Sequence, residues 1–398
     1  MNHSILKSIA EKHKCPVYVY DGNKIKKQYE RLTNAFSGIK KLRINYACKA
    51  LSNISILNLM RSMGSGLDTV SIQEVQLGLK AGFKAENIIF TPNGVSMNEI
   101  EKVASLGVQI NIDNLTILEQ FGTKYQDVPV CIRINPHVMA GGNSNISVGH
   151  IDSKFGISIH QTPHLLRIIK NTNIKVNGIH MHTGSDILDT SVFLQASEIL
   201  FDLASKLDYL EFIDFGSGLK VPYYQGDSET NIEELGDKLS ERFNEFCSVY
   251  GRDLKLIFEP GKYIIADAGY LLTKVVATKK SYKNYIGTDA GMETLMRNAL
   301  YGAYHKIFKL GKESNDKEVY DFTGQICENT DRIATDRLFS NVKEGDLLAV
   351  MDTGAYGYSM SHNFNTRPRA AEVLVSNEDF TLIRKRETLE NIFSNCNV

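Results

Sequence analysis

The sequence predicts an α/β fold: a TIM (β/α)8 barrel with a second, mainly antiparallel β-domain. Eight short β-like runs, at residues 43–50, 66–71, 87–92, 109–113, 129–136, 176–182, 211–218 and 254–261, are mostly separated by stretches of helical periodicity. The periodicity is clearest at Val192, Phe193, Ala196, Ile199, Leu200, Leu203 and Leu207, and at Ile232, Leu235, Leu239, Phe243 and Phe246. Repeated βα units argue for a closed barrel, and an open doubly wound sheet is disfavoured because no G-x-G-x-x-G turn follows the first run. Finally, Lys49, Asp68, Asp113, Arg133, His182, Gly216-Ser217-Gly218 and Glu259-Pro260-Gly261 fall at the ends of their runs. A barrel gathers its functional groups at those ends.

In chain order, residues 15–20 form a β-rich segment that stops at the turn pair Asp21-Gly22, and residues 24–36 have helical composition. Ser52-Asn53 is a helix start after the first barrel strand. Beyond about Tyr270 the rhythm changes to β-rich runs at 270–278, 285–289, 319–323, 346–351, 372–375 and 380–384. The barrel is therefore expected over 22–265, and the β-domain over 1–21 plus 266–398. The early strand near Val17 has no helix before Asp21-Gly22, so it is expected to pair with the second domain.

With 45 Lys+Arg against 46 Asp+Glu in 398 residues, the net charge of −1 lacks the basic excess of a protein that lives on nucleic acid or anionic membrane. The expected partner is a small molecule. No apolar run is long enough to span a bilayer and no secretory signal pattern is present, so the chain reads as cytoplasmic. Its six cysteines form no C-x-x-C pair, and His180-x-His182 has no third ligand at metal spacing. No disulfide framework and no metal are expected.

Lys49 ends a strand of small and apolar residues, where an ammonium must stay wet, find an anion, or lose its charge and act as a nucleophile. A lysine that merely reaches solvent is the ordinary outcome. Gly216-Ser217-Gly218 frees backbone amides to cradle an anion, although any tight βα turn favours glycine. Glu259 puts a carboxylate at the mouth of an apolar strand. Together the three fit pyridoxal phosphate: Lys49 for covalent attachment, glycine turns for the phosphate, Glu259 to hold the ring nitrogen protonated. His182 offers a flat ring to stack on the cofactor and Ser185 a hydroxyl for its phosphate. Asp68 either orients a cation or caps the next helix, and Arg133 reads more readily as an interior ion-pair partner. Arg297 and Tyr301, at i and i+4 within 296–304, share a face if that stretch is helical.

These residues, with Tyr46-Ala47-Cys48-Lys49-Ala50, the 153–157 run Ser-Lys-Phe-Gly-Ile, His180-Met181-His182-Thr183-Gly184-Ser185, Asp289-Ala290-Gly291-Met292, Cys327-Glu328, Gly354-Ala355-Tyr356 and the 367–373 run, resemble the diaminopimelate decarboxylase family nearly end to end. The resemblance implies decarboxylation of meso-diaminopimelate to L-lysine with pyridoxal 5'-phosphate. It makes Lys49 the attachment lysine and His182 the stacking residue. Asp68, Ser185, Gly216, Ser217, Gly218, Glu259, Pro260, Gly261 and Tyr356 become cofactor-holding groups. Cys327 is implied as proton donor to a partner subunit's site, hence a homodimer with composite active sites. Lys262, Arg297, Tyr301, Glu328 and Tyr356 fall where the family binds substrate. Four features depart from the family pattern: Lys262 where arginine is expected, the glycine loop reading Gly216-Ser217-Gly218, Asp186 where glutamine is expected, and Asn298 where proline is. The rival readings are a decarboxylase of another basic amino acid or carboxylated polyamine, and a non-catalytic regulator.

Overall fold

The computed structural model describes residues 1–138, 153–312 and 314–397. Packing divides the chain into two units: residues 29–221 with 228–263, and residues 1–28 with 222–227 and 264–398.

The first unit is the barrel. Its parallel strands are β1 (Leu42–Ala47), β2 (Gly66–Thr69), β3 (Ile88–Phe90), β4 (Gln109–Ile112), β5 (Val130–Asn135), β6 (Val176–Met181), β7 (Phe212–Asp214) and β8 (Lys255–Phe258). Each pairs with the next, and β8 returns to β1 through Leu256↔Leu42. Their residues are almost wholly buried, as expected of strands covered on both faces. Short polar caps start the intervening helices. Asn53 accepts from the Ser55 amide at 2.9 Å and Ser71 from the Glu74 amide at 3.2 Å.

The strands are shorter than the sequence runs because each run included the turn that follows its strand. Lys49 is the clearest case: β1 stops at Ala47, and Cys48–Ala50 form a single 3-10 turn. Asp113 lies just past β4 and accepts from Asn93 Nδ2 at 2.7 Å. Asp68 caps no helix, since that role belongs to Ser71.

In the second unit Val17–Asp21 runs antiparallel to Gly269–Lys280 and parallel to Ala371–Ser376, as its sequence context suggested. Asn284–Thr288, Lys317–Thr323 and Arg332–Ser340 continue the sheet on one side and Asp379–Arg384 on the other. Leu347–Met351 pairs with Gly269–Lys280 and with Ile307–Lys309. Leu6, Ile9, Val17, Val19, Leu272 and Val373 form its core. The helices His3–His13 and Leu389–Phe393 and the strands Ile307–Lys309 and Arg332–Ser340 were not foreseen. The 296–304 stretch is helical only over Arg297–Tyr301, because Gly302 takes a left-handed conformation at φ 64° and ends it.

Candidate active site

At the C-terminal end of the barrel the turns after β1, β6, β7 and β8 are tied to one another. The Ala47 amide donates to Pro260 O at 3.1 Å, the Glu259 amide to Gly216 O at 2.6 Å, and the Ile187 amide to Gly218 O at 2.9 Å. Gly216 and Gly218 adopt φ of 58° and 118°. A Cβ at Gly218 would sit 2.2 Å from Gly184 O, and one at Gly216 2.6 Å from Met181 O. Only glycine allows the loops after β6 and β7 to approach this closely. The structure thus brings together Lys49, Asp68, His182, the 216–218 turn and the 259–262 turn.

Lys49 is exposed between two fully buried neighbours, Cys48 and Ala50. Its ammonium acts on Asp68, Glu74 and Glu259, favouring their ionised forms, and disfavours protonation of His182. Of the outcomes open to a strand-end ammonium, this one is both wet and among anions. His182 is half-buried; burial first, then Lys49 and Arg133, push its pKa well below the usual imidazole value. It is therefore neutral. Its Nδ1 accepts from the Ser217 amide at 3.3 Å, which leaves the ring proton on Nε2.

Glu259 is buried, and its Oε2 accepts from His180 Nε2 at 3.0 Å while Oε1 has no hydrogen-bond partner. Burial works to raise its pKa, but His180, Asp214 and Lys49 outweigh that and leave it below the ordinary glutamate value. Burial keeps His180 neutral despite the neighbouring carboxylate, so the contact is a hydrogen bond donated by a neutral ring. The sequence reading left His180 and Asp214 without a role. Both sit on β6 and β7 and meet Glu259 in space, a proximity that the pairing of β6, β7 and β8 creates. Arg133 is buried with its guanidinium over the Phe155 ring at 4.7 Å, and among the described residues it forms no ion pair.

Lys262 Nζ lies 2.5 Å from Asp186 Oδ1, with only 9% of the lysine side chain exposed. Two of the departures from the family pattern are thus a single ion pair. Ser185, on the same loop, is half-buried.

The remaining candidates belong to the second unit. Arg297 is buried; its Nη1 meets His305 Nε2 at 3.2 Å and its guanidinium stacks 4.8 Å from the Tyr223 ring. Its stacking partner is Tyr223, not the exposed Tyr301. Among the described residues no carboxylate forms an ion pair with it. Asp352, which burial lifts to about 6, feels its charge without pairing. Cys327 and Glu328 are exposed. The Cys327 Sγ lies 3.4 Å from Asn365 Nδ2 and 3.5 Å from Asn365 Oδ1. Asp331 pins this loop to the Asp289–Met292 turn by accepting from the Met292 amide at 2.6 Å and the Ile326 amide at 2.7 Å. Tyr356 is half-buried with φ 58°.

His305 makes the Arg297 arrangement pH-dependent. Its Nδ1 donates to Met351 O at 2.9 Å, so Nε2 is the acceptor that faces Arg297. Burial and the Arg297 charge push its pKa down from 6.5 to about 3. Between those values the unfolded chain binds a proton that the folded protein refuses, so stability rises with pH across the window. The contribution is complete above 6.5 and is lost as pH falls toward 3. Its slope is at most about 1.4 kcal/mol per pH unit. In denaturant titrations His305→Gln should lose less stability than wild type between pH 6.5 and 5. An equal loss in both proteins would show that His305 does not titrate this way.

A barrel lysine, a glycine-lined turn and a buried carboxylate define a class: the pyridoxal-phosphate enzymes built on a TIM barrel. Residues 22–266 match the family model described as pyridoxal-dependent decarboxylase, pyridoxal binding domain. The chain is 38% identical to the diaminopimelate decarboxylase of Methanothermobacter thermautotrophicus over 98% of its own length and 93% of the relative's. It is 36% identical to that of Aquifex aeolicus, covering 97% and 93%. The crystal structure of diaminopimelate decarboxylase from Helicobacter pylori complexed with L-lysine matches with a TM-score of 0.89 and 33% identity, over 98% of both chains. The chain belongs to the diaminopimelate decarboxylase family of pyridoxal-dependent decarboxylases. A lysine/ornithine decarboxylase from Vibrio vulnificus, 22% identical with a TM-score of 0.81, shares the fold. Among the described residues no helix is long and apolar enough to cross a membrane.

Proposed function

We propose that this chain decarboxylates meso-2,6-diaminopimelate to L-lysine and carbon dioxide, the last step of lysine biosynthesis, as a cytoplasmic homodimer. The observation that carries the substrate choice is Arg297, a buried cation held by a neutral imidazole and a tyrosine ring, with no carboxylate ion pair among the described residues. A distal carboxylate is the ligand such a group lacks. The relatives' names and the lysine complex of the Helicobacter pylori enzyme support the same reading.

The barrel residues fit pyridoxal 5'-phosphate. The orphaned Glu259 Oε1 is an acceptor awaiting a buried donor such as the ring nitrogen. Gly216, Ser217 and Gly218, with Ser185, Pro260 and Gly261, would hold the phosphate, and Tyr356 would complete that set. His182 would lie against the ring, Asp68 would orient neighbouring cations, and Lys49 would bind the cofactor covalently. When bound, the group supplies an electron sink for the bond to the departing carboxyl carbon. Neutral His182 and anionic Glu259 hold their charge states throughout. Arg297, Glu328, Tyr301 and Tyr356 hold the substrate's charged ends. Cys327 gives a proton to the α-carbon in the partner subunit's site. Lys262, neutralised by Asp186, contributes position more than charge.

The test is carbon dioxide release across a panel of diaminopimelate, lysine, ornithine and arginine, with diaminopimelate strongly preferred. Release from lysine or ornithine at a comparable rate would move the assignment to a basic amino-acid decarboxylase, and a colourless, inactive protein would move it to a regulator. Assembly is tested separately. Lys49→Ala and Cys327→Ala proteins, each nearly inactive, should regain activity when mixed and allowed to exchange subunits. No recovery after demonstrated exchange would confine Cys327 to its own protomer.

A further inference from the structure

Neighbouring strands place three polar side chains side by side inside the barrel. His180 on β6 pairs in register with Asp214 on β7, and Asp214 with Ile257 on β8, two residues before Glu259. Polar atoms of His180, Asp214 and Glu259 all lie within 4.8 Å of one another, and all three residues are buried. Asp214 Oδ1 accepts from the Gly216 amide at 2.8 Å, but Oδ2 is buried with no partner, as is Glu259 Oε1.

Two ionised carboxylates this close, each with an orphaned oxygen, repel one another and leave both oxygens unsatisfied. One proton between them satisfies Asp214 Oδ2 and takes one lone pair of Glu259 Oε1, leaving the other to accept from the ring nitrogen, because a protonated carboxyl is a donor as well as an acceptor. We propose that Asp214 is a positioning residue, a neutral carboxylic acid that donates its proton to Glu259 and so keeps that carboxylate anionic and aimed at the cofactor's ring nitrogen. The proposal rests on the reading of Glu259 as the ring-nitrogen partner and adds how its charge is set.

The other charged and titratable groups facing the pair are Asp68, Cys131, Arg133, His180 and Lys49. Burial and the Glu259 charge hold Asp214 well above the usual aspartate range, while Glu259 stays below its own. The proton therefore rests on Asp214. The pair titrates as a unit. Tight βα turns alone do not require an aspartate here, since a serine or asparagine would tether the Gly216 amide equally well.

Three substitutions in the full-length protein, loaded with pyridoxal 5'-phosphate, test this. Asp214→Asn keeps the tether to Gly216 and an uncharged donor toward Glu259, so it should retain the absorbance spectrum of bound cofactor and its pH dependence. Asp214→Val should shift that spectrum and weaken cofactor binding by roughly ten- to a hundred-fold, the worth of a hydrogen bond to a charged group. In a Glu259→Gln background Asp214→Val should add no further spectral shift. Infrared spectra of the protein with and without cofactor should lose protonated-carboxyl intensity in Asp214→Asn.

An Asp214→Asn protein as damaged as Asp214→Val would show that Asp214 is ionised and overturn the proposal. So would additive effects in the Glu259→Gln background, which would leave Asp214 only its tether. A stoichiometric divalent metal in the purified enzyme would replace the shared proton with an ion. If Glu259→Gln itself leaves cofactor spectrum and affinity unchanged, the reading of Glu259 fails, independently of what the Asp214 variants do.

Discussion

Alanine in place of Lys49 should lower kcat by roughly 10²–10⁴-fold, the range a positioned acid–base group contributes, and abolish covalent retention of the cofactor. Lys49 is the lysine whose charge reaches Asp68, Glu259 and His182. Lys262, the other lysine that acts on His182, is committed to Asp186. The two can be told apart chemically. Borohydride reduction of the wild-type enzyme followed by peptide mapping should place the label on Lys49, and a label on Lys262 or on no lysine would refute the assignment. The 3-10 turn matters to this result. It takes Lys49 out of the buried register of β1 and leaves its side chain exposed, where a cofactor can reach it.

Arg297→Met should raise KM for diaminopimelate by roughly ten- to a hundred-fold, equivalent to about 1.5–3 kcal/mol for one hydrogen bond to a charged group. The preference over lysine should narrow by a similar factor, with the cofactor spectrum unchanged. Methionine preserves volume and can still lie against the Tyr223 ring, so the loss reports charge rather than a cavity. An unchanged preference would remove Arg297 from substrate recognition and leave the distal carboxylate without an assigned partner. Steady-state kinetics on diaminopimelate and lysine decide this directly.

The barrel was legible in the sequence because its signal is repeated and local: short apolar runs, polar caps, a helix period between them. Each run overreached by the turn after it, since βα turns such as 48–50 and 216–218 are built largely from small, buried residues that read as strand. Lys49, His182, Glu259 and the glycine turn could be picked out because each breaks the apolar pattern at a strand end. Asp214 and His180 gain their meaning from each other and from Glu259, neighbours in space that come from other strands, and no spacing along the chain reveals them. The same holds for His305 and Tyr223 around Arg297, and for Asp186 beside Lys262. In the second unit Arg332–Ser340 was missed because its middle residues, Thr335 to Leu338, are exposed or half-buried on both faces, which masks the alternation of a strand.

The place of Val17–Asp21 in its sheet imposes a delay on the newborn polypeptide. This segment leaves the ribosome before the barrel sequence, yet both strands that flank it come from the far side of that sequence. Tyr20, whose hydroxyl donates to Glu372 Oε1 at 2.8 Å, waits for a partner 352 positions downstream. At about 5–20 residues per second that wait is roughly twenty to seventy seconds, during which the barrel segment can emerge and close. Until then Val17, Tyr18, Val19 and Tyr20, all fully buried in the finished protein, form an unpaired apolar strand with exposed edges. Such a strand is a natural target for chaperone capture and a seed for aggregation when synthesis stalls.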